Sequence, residues 1–113
     1  MSGIGAAVAG LWAFVRKLEA TAGNIANAAT DGYKGERATL IEDGTGLPAV
    51  HVTFDQSPGA SIQDPYGPVR ETSNVELSRE IPELLIAKKG YEANLKALTV
   101  QDELLGSLFD VIA

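Results

Sequence analysis

Apolar residues near the N-terminal end of the chain recur with alternating steps of four and three. This heptad spacing draws an apolar stripe along an α-helix and requires a facing helix to cover it. The stripe consists of Ile4, Val8, Leu11, Val15, Leu18, Ala22, Ile25 and Ala29, with Trp12 and Phe14 lying off it. The pattern predicts a long helix over residues 1–30.

A second stripe runs along the C-terminal part of the chain and predicts a helix over residues 74–113. One row is Leu77, Leu84, Tyr91, Leu98, Leu105 and Ile112; the alternate row is Ile81, Leu95 and Phe109, interrupted by Lys88 and Asp102. The two helices are predicted to pair as an antiparallel coiled coil. Its predicted seam comprises Val8, Leu11, Val15, Leu18, Leu84, Tyr91, Leu95, Leu98 and Leu105. Pro82 is tolerated if the helix begins at Ser78 but kinks it if the helix begins at Asn74.

Glycine and proline cluster between the two helices, over residues 31–73, and short alternating runs appear there. Residues 38–42 and 49–54 read as strands joined by a turn, and residues 60–64 as a possible third strand. An isolated hairpin is marginal in water, so this insert is expected to pack on the helices or on a neighbour. The predicted fold is mainly α with a small β insert, in a single domain spanning residues 1–113.

Composition narrows the class of protein. The chain has 113 residues, 45% of them apolar, which suits either a small compact core or an elongated bundle that buries its faces in a partner. The net charge of −6 argues against nucleic-acid binding, and the absence of cysteine excludes disulfides and thiolate metal sites. No basic residue precedes the first apolar run, so no cleaved secretory signal peptide is expected.

Catalytic chemistry finds little support in the sequence. His51 is the single histidine and has no acidic or nucleophilic neighbour, while Asp102 and Glu103 are adjacent on a helix and therefore diverge. The Gly44–Thr45–Gly46 run lacks the lysine and the following helix of a phosphate-binding loop. We expect no catalytic residue, no metal, no cofactor and no small-molecule substrate.

The stretch GNIANAATDGYKGE, residues 23–36, stands out at the end of the first helix. Asn24 and Asn27 lie three apart, hence on one helix face, among small residues that let another backbone come close. Two interpretations of the asparagines stay open. They either cap the helix locally before Gly32 ends it, or satisfy carbonyl groups of a turn or a neighbouring chain.

This stretch resembles the N-terminal signature of bacterial flagellar axial proteins, the rod and hook family. The matching residues are Asn24, Ile25, Ala26, Asn27, Thr30, Gly32, Tyr33 and Lys34, whereas Gly23 departs from the signature. The C-terminal segment is similar to the family's C-terminal helix at Ser73, Asn74, Val75, Glu80, Tyr91, Glu92, Ala93 and Asn94, and departs from it at Pro82. The short chain is most similar to the proximal-rod proteins, and among them to the group called rod protein C.

The resemblance implies a structural subunit whose terminal helices pair as a coiled coil and pack side by side into the rod that transmits torque. It also implies export by the flagellar type III apparatus into the periplasmic part of the basal body. The implied partners are the chain itself, other rod subunits and the export apparatus. A stand-alone helical dimerisation module unrelated to flagella is the alternative.

Overall fold

The computed structural model describes residues 3–112 as an elongated molecule with extents of 79 × 25 × 15 Å. Two long helices flank two small antiparallel sheets in the sequence. In chain order the elements are α1 (Gly3–Ala26), β1 (Glu36–Glu42), β2 (Pro48–Phe54), β3 (Ser61–Ile62), β4 (Arg70–Glu71) and α2 (Leu77–Ile112). The prediction of a mainly helical chain with a small β insert is confirmed.

The two helices approach closely at glycines. A Cβ atom placed on Gly10 would lie 2.5 Å from Asn94 Oδ1, and the Phe14 ring fills the space that a side chain on Gly90 would need. Residue numbers rise along α1 as they fall along α2, so the helices run in opposite directions. Small side chains at the contact let two helices pack at short range, where dispersion contacts are most numerous.

The contacting or buried rows of both helices again follow steps of four and three. On α1 the row is Gly3, Ala7, Gly10, Phe14, Lys17, Thr21 and Asn24. On α2 the contacting or buried residues are Glu80, Ala87, Asn94 and Gln101, and the half-buried Leu84, Tyr91 and Leu98 complete the spacing between them. The α1 row therefore lies one residue before the predicted stripe. On α2 the predicted row of Leu84, Tyr91 and Leu98 is half-buried, but the alternate row, which includes Ala87, Asn94 and Gln101, lies one residue before the predicted one.

Several residues of the predicted seam consequently lie elsewhere. Leu95 and Leu105 are 45% and 42% exposed, and Val8 is also exposed. Leu11, Val15 and Leu18 flank the contact row and are half-buried, as are Leu84, Tyr91 and Leu98. The buried apolar residues are alanines, namely Ala7, Ala13, Ala20 and Ala87. The contact between the helices is therefore formed by small residues at short range, and the largest apolar side chains are not paired there.

The β insert forms a hairpin that packs on α1. Strand β1 pairs antiparallel with β2, from Glu36 opposite Phe54 to Glu42 opposite Pro48, and both strands contact α1. Lys17 Nζ donates a hydrogen bond to the Ala38 carbonyl at 3.3 Å. The expected third strand is short and pairs with β4 in a separate two-stranded sheet. The insert therefore leans on a helix, as an otherwise marginal hairpin must.

Helix α2 begins at Leu77, and the Glu76 carbonyl accepts hydrogen bonds from the backbone amides of Arg79 and Glu80, both at 3.0 Å. Pro82 lies close to the first turn, where a missing amide hydrogen is best tolerated, and α2 continues through it to Ile112. Asn74 precedes the helix and does not cap it, because its side chain bonds elsewhere.

Candidate functional site

A polar junction closes the end of the helix pair at which α1 terminates. Asn24 is 1% exposed and makes four hydrogen bonds. Its Nδ2 atom donates to the Glu36 carbonyl at 2.8 Å and to Glu80 Oε2 at 3.1 Å. Its Oδ1 atom accepts from the Glu36 amide at 2.8 Å and from the Tyr33 hydroxyl at 3.4 Å. The carboxamide uses both donors and both lone pairs, and so joins α1, β1 and α2.

Asn74, from the C-terminal motif, makes the matching connection on the other side of the chain. Its Oδ1 atom accepts from the Gly35 amide at 2.8 Å, and its Nδ2 atom donates to the carbonyls of Asp55 and Ser57 at 2.7 and 2.8 Å. A Cβ atom on Gly35 would lie 3.5 Å from Asn74 Oδ1 and 3.6 Å from Asn24 Oδ1. The two sequence motifs therefore meet around Gly35.

Asn27 acts locally, unlike Asn24. Its Nδ2 atom donates to the Gly23 carbonyl one turn earlier at 2.9 Å, and its Oδ1 atom accepts from Thr30 Oγ1 at 3.1 Å. Gly32 then adopts a φ of 72°, the left-handed region that favours glycine, and its amide donates to the Glu71 carbonyl at 2.9 Å. Of the two open interpretations, local capping describes Asn27 and long-range bridging describes Asn24.

Ion pairs tie the same junction to the second small sheet. Lys34 Nζ contacts Glu71 Oε1 at 2.5 Å and donates to the Ser57 carbonyl at 3.1 Å. The hydrogen bond from Lys34, together with one from the Gly59 amide, lowers the pKa of Glu71. Arg70 lies 3.0 Å from Asp31, across the turn that follows α1. Lys34 of the N-terminal motif thus holds the strand that leads towards α2.

Two further groups at the junction have shifted pKa values. Hydrogen bonds from Ser57, with the Arg37 guanidinium 3.0 Å away, lower the pKa of Asp55 to about 2. Burial raises the pKa of Tyr33, and the nearby carboxylates of Glu36 and Glu80 raise it further. The junction therefore favours ionised Asp55 and a neutral tyrosine, which is consistent with a structural clamp.

The remaining motif residues serve the helix pair or lie at its surface. Asn94 Nδ2 donates to the Gly90 carbonyl at 3.0 Å, which turns its Oδ1 atom towards Gly10. Ser73 is buried, and its hydroxyl accepts from the Val75 amide at 3.1 Å. Tyr91, Val75 and Ile25 are half-buried, whereas Ala26, Glu92 and Ala93 are exposed.

Large apolar side chains remain outside this framework. Gly3 on α1 lies against Gln101 on α2, and in residues 3–112 α2 continues for eleven residues past Gln101. We call residues 102–112 the C-terminal overhang. Its exposed apolar residues are Leu104, Leu105, Leu108, Phe109, Val111 and Ile112. A shallow apolar groove runs along its base between Ile4 and Leu108.

Sequence reasoning missed Gly10, Gly35 and Gly90 as contact positions. The sequence did contain a signal for Gly10, because Gly3, Ala7 and Gly10 form a row of small residues at heptad spacing on α1. Gly35 had no comparable signal, because its neighbours come from distant parts of the chain.

Within residues 3–112 no group of acidic or histidine side chains is placed to hold a metal ion, and no helix there is long and apolar enough to cross a membrane.

A pair of antiparallel helices with a saturated polar clamp and exposed apolar surface defines a helical structural protein. Comparison with known families agrees. Residues 4–34 match the family described as "Flagella basal body rod protein", and residues 70–111 match "Flagellar basal body rod FlgEFG protein C-terminal". Together these matches span well over half of the chain. The chain belongs to the flagellar rod and hook protein family, whose members are structural components of the flagellar axis rather than enzymes.

Individual relatives agree over a shorter stretch. The flagellar hook protein FlgE of Helicobacter pylori strain ATCC 700392 / 26695 is 42% identical over 41 residues, and FlgE of strain J99 / ATCC 700824 gives the same figures. The match covers 36% of this chain but 6% of each hook protein. The similarity therefore concerns one shared segment of much longer proteins.

Proposed function

We propose that this chain is a subunit of the proximal part of the flagellar basal-body rod and polymerises through helix packing into the axial drive shaft. The observation that carries the proposal is the exposed apolar surface of α2. Leu85 and Ile86 lie exposed along its length, and the C-terminal overhang adds six more apolar residues. Contiguous exposed apolar surface of this kind marks an interface.

The energetics suit assembly. Each large apolar side chain buried by a neighbouring copy contributes roughly 1.5–3 kcal/mol before ordering costs. A contact between two different faces of the same subunit builds an open helical filament when the rotation between neighbouring copies does not close a ring. A long molecule with apolar side chains on its outer faces is suited to side-by-side packing of this type.

Within the subunit, we propose that α1 and α2 form an antiparallel coiled coil. The contact rows on both helices keep steps of four and three, which is the spacing that a coiled-coil seam requires. The motif asparagines Asn24 and Asn74 serve this pair by fixing the β insert at one end. The exposed seam leucines, Leu95 and Leu105, are available for contacts between copies.

The assignment to the proximal rod is supported by the short segment between the helices. Only residues 27–76 separate α1 from α2, and the hook proteins that share the matched segment are much longer chains, since that segment is 6% of their length. The partners in this proposal are further copies, other rod subunits and the flagellar type III export apparatus, which delivers the chain across the inner membrane to the periplasmic rod.

A genetic experiment tests this function. The gene is deleted and restored with a version that carries a small tag at Gly44, an exposed turn position with open space around it. The proposal predicts a non-motile deletion strain, motility restored by the tagged gene, and tag density in images of the proximal rod. A motile deletion strain with intact filaments would contradict the proposal, and a closed dimer in solution with no motility defect would favour the dimerisation module.

A further inference from the structure

We infer that the outer edge of strand β2 pairs with the same edge of a second copy, antiparallel and centred on Val52, and so joins the two hairpins into one sheet. This contact goes beyond the proposed rod function. A two-fold contact closes on itself, so it produces a dimer of the unassembled chain and is not the contact that repeats along a filament. Three features support it: the hydrogen-bonding pattern of the hairpin, the position of α1, and the side chains of β2.

The hydrogen bonds at the two ends of the hairpin show which backbone groups face outwards. The Asp55 amide donates to the Gly35 carbonyl and the Asp43 amide to the Leu47 carbonyl, both at 2.8 Å. Both bonds continue the register of the β1–β2 ladder. Hydrogen-bonded and non-hydrogen-bonded pairs alternate along an antiparallel ladder. Every even-numbered residue of the two strands therefore directs its amide and its carbonyl away from the other strand.

Helix α1 takes up outward groups of β1. Asn24 bonds both the amide and the carbonyl of Glu36, at 2.8 Å each, and Lys17 Nζ donates to the Ala38 carbonyl at 3.3 Å. Glu36 and Ala38 are even-numbered residues, as the alternation requires. The hairpin is thus held to α1 by the edge of β1, and the edge of β2 lies on the far side of the hairpin from these bonds.

The outer edge of β2 is an open strand edge. Its outward amides and carbonyls belong to Val50, Val52 and Phe54, and within residues 3–112 no side chain or neighbouring segment hydrogen-bonds to them. Natural edge strands are usually protected by charged side chains, prolines or bulges. Strand β2 spans seven residues without an acidic residue, a lysine or an arginine, and Pro48 stands at its first position. An edge of this kind is a template for a further strand.

The edge of β2 is complementary to itself. In antiparallel pairing centred on Val52, Val50 lies opposite Phe54 of the second copy, and the two Val52 residues lie opposite each other. Each of these pairs exchanges both of its N–H···O bonds. Phe54 is 58% exposed, and pairs of aromatic and β-branched residues stabilise neighbouring strands. On the other face His51 lies opposite Thr53, so no like charges meet along the edge despite the net charge of −6 of each chain.

The joined sheet has room for both copies. Because α1 bonds to the outer edge of β1, the two α1 helices lie near the outer strands of the sheet. These strands are three spacings apart, roughly 14 Å, whereas packed helices need about 8–10 Å. A contact along one strand edge buries less than the roughly 1,200 Å² of a standard interface, so the dimer is weak and forms reversibly as the concentration rises.

Cysteine cross-linking of the full-length chain tests the register, because the chain has no native cysteine. Chains carrying His51→Cys and Thr53→Cys are mixed in equal amounts, oxidised mildly, and the disulfide products are distinguished by mass. In the inferred register the two positions face each other with Cα atoms about 4.5 Å apart, within disulfide range. Two copies of the same variant hold their cysteines roughly 8 Å apart, beyond that range. The mixed product should therefore exceed either single-variant product about tenfold.

Sedimentation over a concentration series tests whether this edge holds the dimer. Val52→Pro removes an outward amide that the hairpin itself does not use, and proline is tolerated at such positions of an edge strand. It should weaken association about tenfold, because each copy loses a central hydrogen bond. Leu40→Pro is the matched control, since its amide also points outward but on the edge of β1, and it should leave association unchanged. Circular dichroism checks the fold of both variants.

A random distribution of the disulfide products would overturn the edge contact, and so would undiminished association of a folded Val52→Pro variant. If Val52→Pro loses its fold, the disulfide distribution still decides. Association that is accompanied by random disulfides arises from other surfaces, such as the apolar faces of the helices, and leaves the proposed rod function standing. The motility of the deletion strain tests that function separately, because edge pairing supplies no filament contact.

Discussion

Asn24 and Glu80 lie 56 residues apart in the sequence, yet Asn24 Nδ2 donates a hydrogen bond to Glu80 Oε2 at 3.1 Å in the interior of the molecule. Both residues belong to the motifs that identify the family, one in each terminal helix. The bond joins the end of α1 to the first turns of α2. It explains why an asparagine and a glutamate are buried in a core whose apolar members are alanines.

Replacing Asn24 is expected to weaken the connection between α1, β1 and α2. Asn24→Ala removes four hydrogen bonds and leaves the Glu80 carboxylate buried without this donor, which should lower the free energy of unfolding by about 2–4 kcal/mol. Urea unfolding followed by circular dichroism measures the loss. Asn27→Ala is the control, since its bonds are local, and should cost about 1 kcal/mol or less. Equal losses for the two variants would show that Asn24 does not bridge the elements.

The α2 glycines Gly90 and Gly106 should respond to alanine in opposite ways, because only Gly90 lies at the helix contact. Gly90→Ala forces the Phe14 ring away and should lower the free energy of unfolding by about 1–3 kcal/mol. Gly106→Ala is the matched control on α2, because nothing lies within 4 Å of the added methyl group. It should raise stability by about 0.5–1 kcal/mol through helix propensity. A stabilised Gly90→Ala variant would mean that the helices do not approach each other there.

Acid should destabilise the junction through Asp55 and Glu71. Both carboxyl pKa values are lowered in the folded chain, that of Asp55 from 3.8 to about 2. The stability that they contribute is fully present above the unfolded pKa, and is lost as the pH falls from about 4 to 2. Thermal unfolding midpoints measured between pH 2 and pH 7 report this loss. Asp55→Asn should flatten the profile in this window, and an unchanged slope would exclude Asp55 as a source.

Alkali should act on the junction through Tyr33. Its pKa is raised above 10.0, so the folded chain holds the phenolic proton more tightly than the unfolded chain. The contribution of Tyr33 to stability is complete below pH 10 and is lost as the pH rises through the folded-state pKa. Tyr33→Phe should remove that part of the alkaline slope in the same thermal assay. Tyr66→Phe is the control, since Tyr66 is fully solvent-exposed in a loop, and should leave the slope unchanged.

The order of elements and the family could be predicted from local patterns. Heptad spacing predicted two long helices, alternating residues predicted the hairpin, and Asn24 with Asn74 marked the two motifs. Local signals suffice for such features, because helix and strand periodicity and turn residues act over a few positions.

The sequence alone determined which segments are helical, where the β insert lies, and to which family the chain belongs. The tertiary structure decided which face of each helix is buried. Two heptad rows on α1 lie one residue apart in the sequence, and either could form the buried face. Rotating the helix about its own axis exchanges one row for the other. Close backbone approach at Gly10 and Gly90 and the saturated bonds of Asn24 select the row of small residues. Both depend on partners that are distant in the sequence, so only the folded chain reveals that the larger apolar side chains are left at the surface.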